Sequence, residues 1–162
     1  MKIYGQPTGS TGYDPIDSPI FAYWMPIMRV VNGRVHWDFP FDGGYKIHVS
    51  PDKTSLHQVA IQVLPELQRL RVPHKVVINA GSYSSFHLHN QQGKFITIYA
   101  GRMFETFTKT VTAIDKTLTL LRQSGVMPGP RPLDRLQDHR TAEQCIGVSD
   151  MLTYVISPDF RR

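Results

Sequence analysis

The sequence predicts an α+β fold, with one mostly antiparallel sheet and two main amphipathic helices packed on it. Two observations lead to this prediction. Apolar residues at spacings of three and four mark two helices, and short runs rich in β-branched and aromatic residues, bounded by turn signals, mark strands around them. With 162 residues, 41% of them hydrophobic, the chain is long enough for one domain with a substantial core.

The first element that the pattern predicts is a hairpin. Residues 1–19 mix Gly, Pro, Ser, Thr and Asp with little apolar periodicity, so we expect a flexible N-terminal arm ahead of a single domain at residues 20–162. Ile27–Val31 and Arg34–Phe39 then flank Asn32-Gly33. An Asn-Gly pair between β-rich runs is the strongest short-range hairpin signal.

A strand leading into a helix follows the hairpin. Tyr45–Val49 alternates, which places Lys46 and His48 on one face and two aliphatic residues on the other. Ser50 is a suitable N-cap and Pro51 a suitable first helical residue. The helix should then continue with one apolar face to Leu70, with a kink at Pro65, and end before Pro73.

The second half of the chain is predicted to contain three further strands and a second helix. His74–Asn79 and Gly93–Tyr99 read as strands separated by a loop, and Met151–Ile156 as a last short strand. Apolar residues from Phe104 to Leu121 predict the second amphipathic helix, which Gly125 should terminate.

Composition limits the classes of function. The net charge of +5 favours an anionic partner, either nucleic acid or an acidic or phosphorylated peptide. The single Cys145 excludes an internal disulfide framework and a multi-thiolate metal site. There is no apolar run long enough to cross a bilayer and no secretory signal, so we expect no membrane association and a cytoplasmic location.

Titratable residues on the predicted strands indicate acid–base chemistry on an anion. Lys46 and His48, Lys75, and Lys94 each lie on a predicted strand, so one sheet can bring them together. Converging lysines repel one another, which lowers the pKa of at least one and allows it to act as a general base. The remaining cations suit a dianionic phosphate. A base, an acid and an anion clamp together can perform β-elimination of phosphate.

The succession of short motifs resembles that of the phosphothreonine lyase family. The motifs are Tyr45–Ser50, Val63-Leu64-Pro65, Val72–Val76, Gly93–Tyr99, Gly129-Pro130 and Asp134-Arg135, and they span most of the chain. The family includes type III effectors that act on host MAP kinases and the N-terminal lyase domains of class III and IV lanthipeptide synthetases. The motifs look closer to the lanthipeptide-type lyases.

The resemblance implies a carbon–oxygen lyase that converts phosphothreonine or phosphoserine to dehydrobutyrine or dehydroalanine. Matched residue by residue, Lys75 would be the general base and His48 the general acid. Lys46, Lys94 and Arg135 would bind phosphate. We expect no metal and no cofactor. The partner would be a phosphorylated peptide or protein made by a separate kinase, and an effector would be secreted into a host cell.

Two departures from the family keep alternatives open. Arginines that the family usually carries are absent from Ala80–Gln92 and from the predicted last strand, and Arg131, Arg140, His87 or His89 are the candidates to compensate. One alternative is therefore a catalytically impaired homologue. Another is a basic binding module for peptide or, less favoured, nucleic acid, which would use Tyr23, Trp24 and Trp37 as exposed stacking surfaces.

Overall fold

The fold is built on one seven-stranded sheet in which every neighbouring pair of strands is antiparallel. The computed structural model describes residues 13–14, 20–26, 28–37, 41–135 and 140–158. The elements are β1 (Tyr13–Asp14), β2 (Phe21–Trp24), β3 (Met28–Val31), β4 (Arg34–Trp37), β5 (Gly44–Val49), α1 (Leu56–Arg69), β6 (His74–Val77), α2 (Ala80–Ser84), β7 (Ile96–Gly101), α3 (Phe104–Gln123), β8 (Gln144–Cys145) and β9 (Leu152–Ser157). The strand order in the sheet is β1-β2-β6-β7-β5-β9-β8. The α+β prediction is confirmed.

One face of the sheet supplies the hydrophobic core. The apolar positions of the three central strands β5, β6 and β7 alternate with polar ones, so they project to one face. These residues form one buried cluster with the apolar faces of α1 and α3; its central members are Ile47, Val49, Val76, Ile96, Ile98, Val59, Val63, Leu67, Ile114 and Leu118. The opposite face of the same strands is therefore left for the polar side chains.

The Asn32-Gly33 hairpin is confirmed within the described residues. β3 and β4 pair with each other as a separate two-stranded sheet. Asn32 and Gly33 have φ values of 53° and 74°, the left-handed pair that a two-residue type I′ turn requires. The outer ends of the predicted strands, at residues 27, 38 and 39, lie outside the described part of the chain.

The start of the first helix was predicted wrongly. α1 begins at Leu56, with Ser55 in the N-cap position and Pro65 inside the helix. Ser50 cannot cap the helix because its hydroxyl donates a hydrogen bond of 2.6 Å to the carbonyl of Gly93. Pro51 forms a β-bridge with Pro128 instead. The predicted cap thus anchors two loops, a tertiary role that local spacing does not reveal.

Several elements were not predicted. β2 joins the sheet at β6, and Tyr13–Asp14 of the expected N-terminal arm forms β1 against β2; the remainder of residues 1–19 lies outside the described ranges. The predicted loop after β6 contains α2, which Asn79 caps by accepting from the amide of Ser82. The proposed exposure of Tyr23 is wrong because its ring is buried, and Trp24 is partly buried and stacked on His74. The side chain of Trp37 is not described.

Candidate active site

The polar face of the central strands carries two rows of chemically active side chains. In the first row His48 of β5 pairs with Thr97 of β7, which pairs in turn with Lys75 of β6. In the second row Lys46 pairs with Tyr99. Since directly paired residues project to the same face, all five side chains share it. Lys75 lies on β6, and β7 separates β6 from β5.

All five residues predicted for the site line one cavity. Its lining consists of Lys46, His48, Lys75, Gln91, Lys94, Thr97, Tyr99, Arg135 and Arg140. Among these described residues there are five cations and no carboxylate. The three lysines are at most 2% exposed. A buried cavity with this lining suits a compact, multiply charged anion.

Two loops that contact each other bring Lys94 and Arg135 to the cavity. Lys94 precedes β7, whereas the sequence placed it on the strand. The neighbouring Gly93 has a φ of 72°, and a Cβ there would lie 2.2 Å from the carbonyl oxygen of Pro130. The Gln92 side chain donates a hydrogen bond of 2.9 Å to the carbonyl of Arg131. The glycine thus allows the close approach that couples the two cation-bearing loops.

The cavity lowers the proton affinity of Lys46. Burial, followed by repulsion from Arg140, Lys75, Lys94 and Arg135, lowers its pKa to about 6. Its Nζ lies 5.4 Å and 5.6 Å from the ring centroids of Phe41 and Tyr99, so aromatic faces enclose it as well. The pKa of Lys46 thus falls mainly through burial, and repulsion from the converging cations adds to the shift.

Lys75 lies in an aromatic environment of its own. Its Nζ is 4.0 Å from the centroid of the Phe21 ring and 5.8 Å from that of Tyr23, at distances typical of cation–π contacts. Both rings belong to β2, and Phe21 in turn stacks on Phe86. The strand β2, which was not predicted, therefore packs its aromatic rings against the residue assigned as general base.

His48 contacts a carboxylate that sequence reasoning missed. Glu143 Oε1 lies 2.9 Å from Nδ1 of His48, and both side chains are buried. Burial lowers the pKa of His48 to about 4; Glu143 opposes this shift, while Lys94 and Lys46 add to it. Burial alone would raise the pKa of Glu143, but His48, Thr153 and Lys94 bring it below its usual value. With Nδ1 facing Glu143, Nε2 is the nitrogen left for the cavity.

Among the cations suggested to replace the absent arginines, Arg140 is the one that lines the cavity. It is 6% exposed. His87 lines a different pocket, between α2 and the segment at Asp52 and Lys53. Arg131 borders a third, near Cys145. No pattern in the sequence singled out Glu143, Thr97 or Gln91, because their proximity to the site depends on long-range strand and loop contacts.

Comparison with solved structures shows that the fold is a known one. The chain is similar to the phosphothreonine lyase SpvC, the effector protein from Salmonella, with a TM-score of 0.54, 16% identity, and coverage of 94% of this chain and 70% of that one. It is similar to the type III effector and phosphothreonine lyase OspF from Shigella flexneri, with a TM-score of 0.55, 12% identity, and coverage of 96% and 82%. The chain has the fold of phosphothreonine lyases. No protein-family model and no curated protein sequence matches the chain.

Metal sites and membrane spans are both absent from the part of the chain that the structure describes. Its residues contain no group of three or more His, Cys, Asp or Glu side chains that could hold a metal ion. Within the same ranges, no helix has the length and apolar character needed to cross a membrane.

Proposed function

We propose that the protein is a phosphothreonine or phosphoserine lyase that removes phosphate from a phosphorylated peptide by β-elimination. The observation that supports this most strongly is the convergence of Lys75, His48 and four further cations on one buried cavity. The same fold occurs in solved phosphothreonine lyases. An anion-binding cavity with a candidate base and a candidate acid has the groups that the reaction requires.

Lys75 is the proposed base and His48 the proposed acid. The amine of Lys75, acting as the base, takes the proton from Cα, and the electrons of that C–H bond form the Cα=Cβ double bond. The Cβ–O bond breaks, and its electrons leave with the phosphate oxygen, which takes a proton from the His48 imidazolium. Phosphothreonine gives dehydrobutyrine, and phosphoserine gives dehydroalanine.

The proposed phosphate contacts come from Lys46, Lys94, Arg135 and Arg140. The dianion would raise the pKa of both Lys46 and His48 on binding, because a neighbouring negative charge favours the protonated form. His48 is neutral at pH 7 in the empty cavity, since its pKa is about 4. Entry of the substrate would therefore generate the acid that expels the leaving group.

The first test is the mass of a phosphothreonine peptide after incubation with the protein. Elimination gives a product lighter by one water molecule than the product of phosphate hydrolysis. Phosphopeptide binding with no change in mass would instead identify a binding module or an impaired homologue. Phosphate release with the hydrolytic mass would contradict the proposed reaction.

Four variants test the assigned roles. Lys75→Ala should lower kcat by about a hundredfold to ten-thousandfold, the range typical of a positioned acid or base. His48→Ala should lower it less, and least at low pH, where solvent can protonate the phosphate. Lys94→Ala and Arg135→Ala should weaken phosphopeptide binding. Lys109→Ala, an exposed lysine on α3, is the control for lost charge. Near-normal turnover by Lys75→Ala would overturn its role.

Two settings are proposed for this activity, and each has a different observation behind it. Maturation of a lanthipeptide-type precursor, with a separate kinase, follows from the sequence motifs. An effector role is favoured by the solved structures with this fold, which include effectors. Comparing kcat/KM for short phosphopeptides with that for a folded, phosphorylated MAP kinase distinguishes them, because an effector should prefer the folded protein.

A further inference from the structure

Thr97 occupies the centre of the row that joins the two proposed proton-transfer residues. It pairs with His48 across β5 and β7, and with Lys75 across β6 and β7. Strands in a sheet lie about 4.8 Å apart, so the Cα atoms of His48 and Lys75 are separated by about 10 Å with Thr97 midway. A substrate that presents its own Cα to Lys75 and its leaving oxygen to His48 must therefore lie over Thr97.

The Thr97 hydroxyl is buried and lacks an internal partner. The residue is 3% exposed, and Oγ1 has no hydrogen-bond partner among the described residues. Buried hydroxyls in folded proteins nearly always have a partner, because leaving one without a hydrogen bond is costly. Valine has the same shape and would fill this strand position without that cost. The hydroxyl therefore indicates a ligand that completes the hydrogen bond.

The side chains around Thr97 indicate that the ligand is a hydrogen-bond acceptor. The lysines and arginines of the cavity are donors with no acceptor function, so a ligand held among them must supply the acceptors. A sixth cation at position 97 would add to the mutual repulsion that already lowers the pKa of Lys46. A hydroxyl adds a directional donor without adding charge.

We infer that Thr97 is a further substrate-contacting residue, whose hydroxyl donates a hydrogen bond to a non-ester oxygen of the substrate phosphate between His48 and Lys75. The inference rests on the proposed function in taking a phosphorylated threonine or serine as the ligand. The phosphate contact itself requires only that an anion of this class binds in the cavity.

The test compares Thr97→Val, which removes the hydroxyl but keeps the shape, with Thr97→Ser, which keeps the hydroxyl. The probes are inorganic phosphate and a phosphonate analogue of a phosphothreonine peptide, in which a methylene group replaces the ester oxygen and prevents elimination. Thr97→Val should weaken binding of both by about tenfold or more, as expected for a lost hydrogen bond to a charged group. Thr97→Ser should bind within about threefold of the parent, because it retains the donor.

Stability of the ligand-free variants separates this role from a structural one. Thr97→Val should melt at the parent's temperature or above it, because valine replaces a buried hydroxyl that has no internal partner. A lower melting temperature for Thr97→Val than for Thr97→Ser would overturn the inference, as would parent-like phosphate binding by Thr97→Val. Thr97→Ala provides a second removal of the hydroxyl and should weaken phosphate binding as Thr97→Val does.

Failure of the two proposals can be told apart. If the parent releases phosphate by elimination but Thr97→Val binds both probes normally, the Thr97 inference alone is wrong. If the parent binds the probes through Thr97 but leaves phosphothreonine peptides intact, the lyase proposal alone is wrong. A parent that binds neither probe contradicts both.

Discussion

At the scale of single residues, the contact between His48 and Glu143 makes a prediction about pH. Glu143 raises the pKa of His48 against the effect of burial. Glu143→Gln should therefore lower that pKa further. Because the proposed acid must be protonated, the rate falls as pH rises past the pKa of His48 in the complex, and in Glu143→Gln this decline begins at a lower pH. If the pKa falls by about one, the protonated fraction at neutral pH falls by about tenfold.

The measurement is kcat as a function of pH for the parent, Glu143→Gln and His48→Ala. In His48→Ala the group is absent, so the decline that remains should follow protonation of the substrate phosphate by solvent. An unchanged profile in Glu143→Gln would show that the carboxylate does not act through His48. Phosphopeptide affinity serves as the control, since Glu143 does not line the cavity.

The sequence could predict site residues only where alternation along one strand places them on the same face. Lys46 and His48 share a face because they are two positions apart on one strand, and that much is local. Thr97 belongs to the Gly93–Tyr99 motif but carries no signal of its own, since a threonine in a β-rich run is ordinary. Its position between His48 and Lys75 depends on a strand order that places β7 between β5 and β6. Glu143 reaches His48 only through the folding of the C-terminal segment.

At the scale of elements, periodicity predicted α1, α3 and the central strands, but it missed contacts between loops. Ser50 illustrates why: its sequence context favours a helix cap, yet its hydroxyl satisfies the carbonyl of Gly93. The short strands β1 and β8 have two residues each, so their pairing depends on the rest of the sheet. Such elements carry too little local pattern to be recognised before the tertiary structure is known.

The close approach at Gly93 predicts that an uncharged change impairs phosphate binding. Gly93→Ala places a Cβ 2.2 Å from the Pro130 carbonyl oxygen and must displace one of the loops that carry Lys94 and Arg135. A shift of about 1 Å in positioned groups can cost up to about a hundredfold, so we expect kcat/KM to fall by about tenfold to a hundredfold. Steady-state elimination kinetics measure this change.

Gly125→Ala is the matched control for Gly93→Ala. Gly125 also has a positive φ, of 98°, but a Cβ there meets nothing within 4 Å. Both variants therefore carry backbone strain, whereas only Gly93→Ala has the clash beside the cavity. Equal losses of kcat/KM in the two variants would attribute the effect to strain and contradict the proposed coupling of the loops.

At the scale of the whole molecule, the sheet has a core face that stabilises the fold and a polar face that costs stability. The buried aliphatic residues on one side pack with α1 and α3. On the other side Lys46, Lys75 and Lys94 are buried together. Burying like charges is unfavourable unless an anion compensates them. Burial and repulsion from the neighbouring cations disfavour the charged form of Lys46, and functional sites commonly carry an electrostatic cost of this kind.

This cost predicts a specific dependence of stability on pH. The pKa of Lys46 falls from 10.5 to about 6 in the folded protein. Between those values the unfolded chain binds a proton that the folded protein does not, so stability should rise with pH, by roughly 1.4 kcal/mol per pH unit from this group. Lys46→Met removes this contribution, so the variant should be more stable than the parent at pH 7 and show a shallower slope.

Urea unfolding at pH 6.5, 7.5 and 8.5 measures the dependence of stability on pH. Repeating it with inorganic phosphate measures stabilisation by the ligand. Phosphate should stabilise the parent more than Lys46→Met, because a ligand stabilises in proportion to its affinity for the native state and the variant lacks one cation. The exposed Lys116→Met on α3 is the matched control and should keep the parent's pH slope. If Lys46→Met unfolds at lower urea concentrations with the parent's slope, Lys46 stays protonated in the fold. Its burial would then be compensated inside the protein rather than by the substrate.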